Sequence, residues 1–91
     1  MKTINKTVEK IEEVEVFDGL HDFRDKMYVK DLEDDTIGRV IYLDNNVVLI
    51  KWIVPENKEY EYAVYSDTEL REEDSYMFQE IEEPKAVAEL L

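Results

Sequence analysis

Polar and apolar residues alternate through the middle of the chain, the signature of strands with one face buried. Residues 37–43 (IGRVIYL) and 47–54 (VVLIKWIV) are rich in β-branched side chains and flank Asp44-Asn45-Asn46. They predict a hairpin, with the asparagines supplying the left-handed backbone that a tight turn uses. Gly38 within the first of these strands predicts a bulge or a close backbone approach. Residues 59–65 alternate acid and aromatic, which places Tyr60, Tyr62 and Val64 on one face. Shorter strands are predicted over 27–32 and 76–82, the latter stopped by Pro84. Between them, residues 66–70 read as one helical turn, capped by Ser66 with Glu69 three residues on.

The N-terminal region reads differently. Ile4, Val8 and Ile11 stand at helical spacing, with Thr3 or Asn5 as a cap, and predict a short helix or a loose arm to about residue 12. The alternation over 13–17 then predicts a strand, and Asp18-Gly19 opens a turn that continues through 21–25. Residues 85–91 predict a short terminal helix with Val87, Leu90 and Leu91 on one side. The expected organisation is an arm over 1–16, a β domain over 17–83 and a tail or short helix over 84–91.

Size and charge narrow the field. Ninety-one residues support one modest core, which excludes a TIM barrel or a doubly wound nucleotide fold. The chain carries 24 acids against 11 bases, a formal charge of −13. That exceeds the magnitude of about 2–8 common for a small soluble domain. Like-charge repulsion argues against direct binding of nucleic acid or of an anionic membrane surface, and favours a basic partner. No Cys is present, which excludes disulfides and thiol nucleophiles and fits a reducing, cytoplasmic compartment. The first ten residues have no apolar core of a secretory signal, and the longest apolar run is far short of the roughly 20 residues that span a bilayer.

Several short strands joined by tight turns predict a mainly β fold, either a small five-stranded barrel or a bent antiparallel sheet. The runs Met27-Tyr28-Val29-Lys30, Ile37-Gly38-Arg39-Val40-Ile41, Val48-Leu49-Ile50-Lys51-Trp52, Tyr62-Ala63-Val64-Tyr65 and Asp67-Thr68-Glu69-Leu70 resemble the small SH3-like barrels. That group includes the Tudor and KOW domains. The resemblance covers about residues 27–82 and implies a barrel fold. The chain departs from nucleic-acid-binding KOW barrels in its charge, since those are basic.

Catalytic chemistry finds little support. His21 is the only His, no Ser stands in a nucleophile motif, and Gly19 and Gly38 are too far apart for a phosphate loop. The expectation is a binding protein, not an enzyme, with no cofactor. Asp31, Glu33 and Asp35 resemble the start of a calcium loop, but Thr36 stands where the sharp turn needs Gly and Tyr42 where a bidentate Glu is needed. No metal site is therefore expected. The aromatic residues suit core and cross-strand packing, with an aromatic cage for a methylated cation as the sharper alternative.

The acid clusters are the most informative chemistry. Asp31, Glu33, Asp34 and Asp35 stand on one loop; Glu69, Glu72, Glu73 and Asp74 flank the helical turn; Glu80, Glu82 and Glu83 close the last strand. Glu59/Glu61 and Glu80/Glu82 are two apart on strands, so each pair shares a face at about 6.8 Å. Rigid carboxylates in rows copy part of the field of a duplex. By size and charge the chain resembles phage-encoded DNA mimics that inhibit host DNA-binding proteins. That resemblance implies a basic, nucleic-acid-binding protein as partner, with a homodimer extending the charged track. The rival expectation is an SH3- or Tudor-like adaptor that binds a peptide or subunit through its tyrosines and Trp52.

Overall fold

The computed structural model describes residues 1–7, 11–54, 56–72, 76–85 and 88–91, and of residues 5–7, 11, 12 and 88 the backbone alone. The strands are β1 (Lys2–Thr7), β2 (Ile11–Val16), β3 (Tyr28–Asp31), β4 (Ile37–Leu43), β5 (Val47–Ile53), β6 (Tyr60–Ser66) and β7 (Phe78–Ile81). One helix, α1 (Asp67–Glu72), joins β6 to β7. β1 and β2 form a two-stranded sheet, and the other five strands form a sheet in the order β6-β5-β4-β3-β7 with every pair antiparallel.

The core follows from period-2 alternation. Val48, Ile50 and Trp52 of β5 point to one face, where they meet Val29, Val40 and Phe78 from neighbouring strands. Phe17, Phe23 and Met27 cover this face from the chain before β3, and Leu70 enters it from α1. Gly38 pairs with Trp52 across β4 and β5. A Cβ at Gly38 would lie 2.7 Å from the indole, so the bare backbone is what lets the ring lie flat against the strand. The close approach expected at Gly38 is thus present, while the register shift falls two residues later, between Val40 and Tyr42.

Three expectations are corrected. The sheet is not a closed barrel, because β6 and β7 end it on opposite sides without pairing. Two features explain the gap: α1 leaves β6 at once and fills the interior with Leu70, and the Phe17 amide donates to the Phe78 carbonyl at 2.8 Å on the β7 side. The helical arm is instead the β1–β2 ribbon, in register from Lys2↔Val16 to Thr7↔Ile11. The stripe Ile4, Val8, Ile11 fitted a helix, but Thr and β-branched residues with a partner strand at hand pair as a ribbon; Val8 itself lies outside the described residues. The tail expected over 84–91 carries a short 3-10 helix, Ala88–Leu90, and Val87 lies outside the described residues. The β4–β5 turn is held by a side chain, with Asp44 Oδ1 accepting the Asn46 and Val47 amides at 2.7 and 2.9 Å. The left-handed non-glycine residues among those described are Lys26, Asp35 and Lys58 instead of the asparagines.

Candidate functional site

At the end of the sheet where β3, β5 and β6 meet their loops lies a hollow of about 260 Å3. Strand register builds its wall. Trp52 pairs with Glu61 across β5 and β6, which sets the indole and that carboxylate on the same face. Tyr65, two alternations along β6, reaches back so that its hydroxyl accepts the Trp52 Nε1–H at 2.9 Å. Tyr65 packs edge-on against Phe78 and Tyr76, and Trp52 leans on Phe78 at 5.1 Å. The aromatic floor is therefore anchored in the core.

The rim is acidic. Asp31 ends β3 and Asp34 follows on the β3–β4 loop, Glu59 ends the β5–β6 turn and Glu61 stands on β6, and Thr36, Val54 and Tyr60 complete the lining. The loop holds its acids by their own Asx turns. Asp31 Oδ1 accepts the Glu33 amide at 2.9 Å, and Asp34 Oδ1 accepts the Thr36 amide and hydroxyl at 3.1 and 2.7 Å. In each of these turns the hydrogen bonds run through one carboxylate oxygen, Oδ1. Glu59 is set by the β5–β6 turn, where its amide donates to Asn57 Oδ1 at 2.9 Å and its carbonyl accepts the Val54 amide.

No basic side chain stands among the described lining residues, though Lys51 Nζ lies over the ring of one of them, Tyr60, at 4.6 Å. The consequences show in the ionisation of the site. Burial raises the Asp31 carboxyl above the ordinary aspartate value, and the neighbouring Asp34, Glu33 and Asp35 push the same way against the Glu33 amide. Burial pushes the Tyr65 phenol up to about 12, opposed by the indole N–H, with Tyr76, Asp31 and Glu61 adding to the rise. Both shifts mark a place where burial and neighbouring acids disfavour further negative charge.

Of the acids picked out from sequence, Asp31, Asp34, Glu59 and Glu61 converge here. Glu33 and Asp35 stay exposed on the same loop, and Asp35 pairs with Lys30 at 3.4 Å. Glu69 and Glu72 ride on α1, at the opposite end of β6; Glu69 accepts the Ser66 hydroxyl in the expected capping arrangement. Glu80 is paired with Arg24, and Glu82 and Glu83 are exposed beyond β7. Glu73 and Asp74 lie outside the described residues. Sequence reading put Trp52 in the core, where it lies, and offered the tyrosines and Trp52 as binding residues only in the rival reading; it passed over Thr36 and Val54. The available signal was the pairing of β5 with β6, which sets Trp52 opposite Glu61.

A second acid group was not foreseen. Asp18, Asp22 and Asp67 gather around the 3-10 turn Leu20–Asp22. The Met1 ammonium lies 3.3 and 3.2 Å from Asp18 and Asp22, and His21 Nε2 lies 3.1 Å from Asp18. Asp67 accepts the Leu20 amide at 2.8 Å and the Arg71 guanidinium at 2.7 Å, which together hold its carboxyl below the usual range. Ligand atoms of Asp18, His21 and Asp22 fall within 4.8 Å of one another, so these residues are the ones with metal-ligand spacing among those described. Their carboxylates already have cations of this chain beside them.

Among the described residues no helix is long and apolar enough to cross a membrane. Comparison with protein-family models, with curated proteins and with solved structures finds no match.

Proposed function

We propose that this chain is a binding protein for a basic protein partner, and that the hollow receives a cationic side chain of that partner. One observation carries the reading: four carboxylates and the Trp52–Tyr65 pair converge on a concavity whose described lining holds no base. Aromatic faces attract cations, and surrounding carboxylates add charge-assisted hydrogen bonds. The volume argues for a side chain over a metabolite, since pockets for small molecules run to about 300–1,000 Å3.

The test is titration with lysine- and arginine-containing peptides at several salt concentrations. Binding weakens as salt rises, and Glu61→Gln costs about tenfold in affinity, the size of one lost charged hydrogen bond. Glu72→Gln, at the far end of β6, changes little. Equal losses from both substitutions would leave only a diffuse acidic surface. The narrower reading, in which the partner's basic surface normally holds DNA, rests on the net charge of −13. It requires that duplex DNA displace the chain from its partner.

A further inference from the structure

Edge strand β6 has one hydrogen-bonded neighbour, β5, and no described strand on its other side. Seven residues long, it has the sequence YEYAVYS, without Lys, Arg or Pro. Edges of this length are normally blunted by such residues, by inward-pointing charges, by bulges or by a covering element, and of these β6 carries the inward-facing Glu61. The other end of the sheet is treated differently: the Phe17 amide donates to the Phe78 carbonyl, and the Gln79 side chain reaches the Glu15 carbonyl. The faces of β6 also differ. Tyr60, Tyr62 and Val64 are 62, 56 and 56% exposed on the outer face, where Lys51 Nζ already lies over the Tyr60 and Tyr62 rings at 4.6 and 6.0 Å, and Tyr60 also reaches the rim of the hollow. On the inner face Glu61 and Tyr65 open into the hollow.

We propose that β6 accepts an extended segment of the partner as an added antiparallel or parallel strand, and that this segment alternates cationic and apolar residues. A strand laid beside β6 would lie about 4.8 Å away, with its side chains alternating between the two faces. Residues on the inner face stand next to Glu61 and the hollow, and there the chemistry selects Lys or Arg. Those on the outer face stand next to Tyr60, Tyr62 and Val64, and there it selects apolar or aromatic side chains. The added strand would also satisfy the outward backbone groups of β6, which supplies affinity independent of side chains. A second copy is the poorer occupant, since each chain brings a charge of −13 and would set Glu59 and Glu61 of both copies near one edge.

This inference rests on the cation-binding reading of the hollow, and the experiment separates the two. The probes are a peptide of about eight residues alternating Lys and Val, long enough to cover β6, and a peptide of equal composition with its lysines in one block. Two further versions of the alternating peptide carry backbone N-methyl groups on the odd or on the even residues. Affinities are measured by calorimetry against the intact chain. Strand addition predicts that the alternating peptide binds at least about tenfold tighter than the block peptide. It predicts that one N-methyl series abolishes binding while the other does not, because alternate amides face β6. Backbone amides of β6 then gain hydrogen-exchange protection. If all four peptides bind alike, the hollow binds cations but β6 adds no strand, and the inference is overturned. If none binds, the reading of the hollow fails first. A stable dimer in sedimentation that protects β6 without peptide also overturns it.

Discussion

The chain gathers acids in two places, and their circumstances are opposite. Around the turn after β2, Asp18, Asp22 and Asp67 are matched by the Met1 ammonium, His21, Arg71 and the Leu20 amide. In the hollow, Asp31, Asp34, Glu59 and Glu61 have aromatic rings and their own loop amides as neighbours, but no base among the described lining. The direction of the ionisation shifts records the contrast. Asp67 is held below the usual carboxylate range, and Asp31 is pushed above it. Equal acidity therefore conceals two circumstances: one group ties the chain to itself, and the other has no base in its described lining, which the proposed function reads as room for a partner's cation. Local pairing, not the number of acids, distinguishes a structural cluster from a binding one.

The sharpest way to break this contrast is to exchange the roles. Glu61→Lys places a base in the hollow and should cost about a hundredfold or more in affinity for a cationic peptide, since attraction becomes repulsion worth several kcal/mol. Asp67→Asn, by contrast, should lower Tm and leave peptide affinity unchanged. Matching losses of affinity from the two substitutions would erase the distinction. Next in size is Gly38→Ala, whose new methyl meets the Trp52 ring and Ile50. Overpacking of this kind costs about 1–3 kcal/mol, visible as a fall in Tm of several degrees by calorimetry, together with loss of binding as the floor of the hollow shifts. Asp31→Asn is subtler and separates stability from function. The amide oxygen still accepts the Glu33 amide, the disfavoured charge is gone, and the variant should melt slightly higher while binding about tenfold more weakly.

The smallest effect is a divergence with pH. Asp31 has a raised carboxyl, so its contribution to stability is present below the unfolded aspartate value and is lost as pH rises through its folded value. Asp67 has a depressed carboxyl, so its contribution is present above the unfolded value and is lost as pH falls through its lower folded value. Acidification should thus favour the hollow end and weaken the turn end. Thermal melts of the wild-type chain, Asp31→Asn and Asp67→Asn across the acid range would show the two variants departing from wild type in opposite directions.

Strands β4, β5 and β6, the helical turn and its Ser66 cap were legible because period-2 burial and capping are local rules written in local residues. The β1–β2 ribbon was not, because Ile4 and Ile11 satisfy a helical stripe as readily as paired strands, and only the partner strand decides. The hollow was half legible. Its acids stand out in the chain, but Asp31 and Glu61 are thirty residues apart, and nothing local says that Trp52 faces Glu61. The missed cluster at Asp18, Asp22 and Asp67 has the same cause, since it is closed by an amide and a carboxylate 47 positions apart.

Trp52 is the only tryptophan of the chain, and it forms the floor of the hollow with its N–H committed to Tyr65. The molecule therefore carries its own optical reporter: the emission of a single indole, unmixed with any other, registers occupancy at this one place without a dye or a tag.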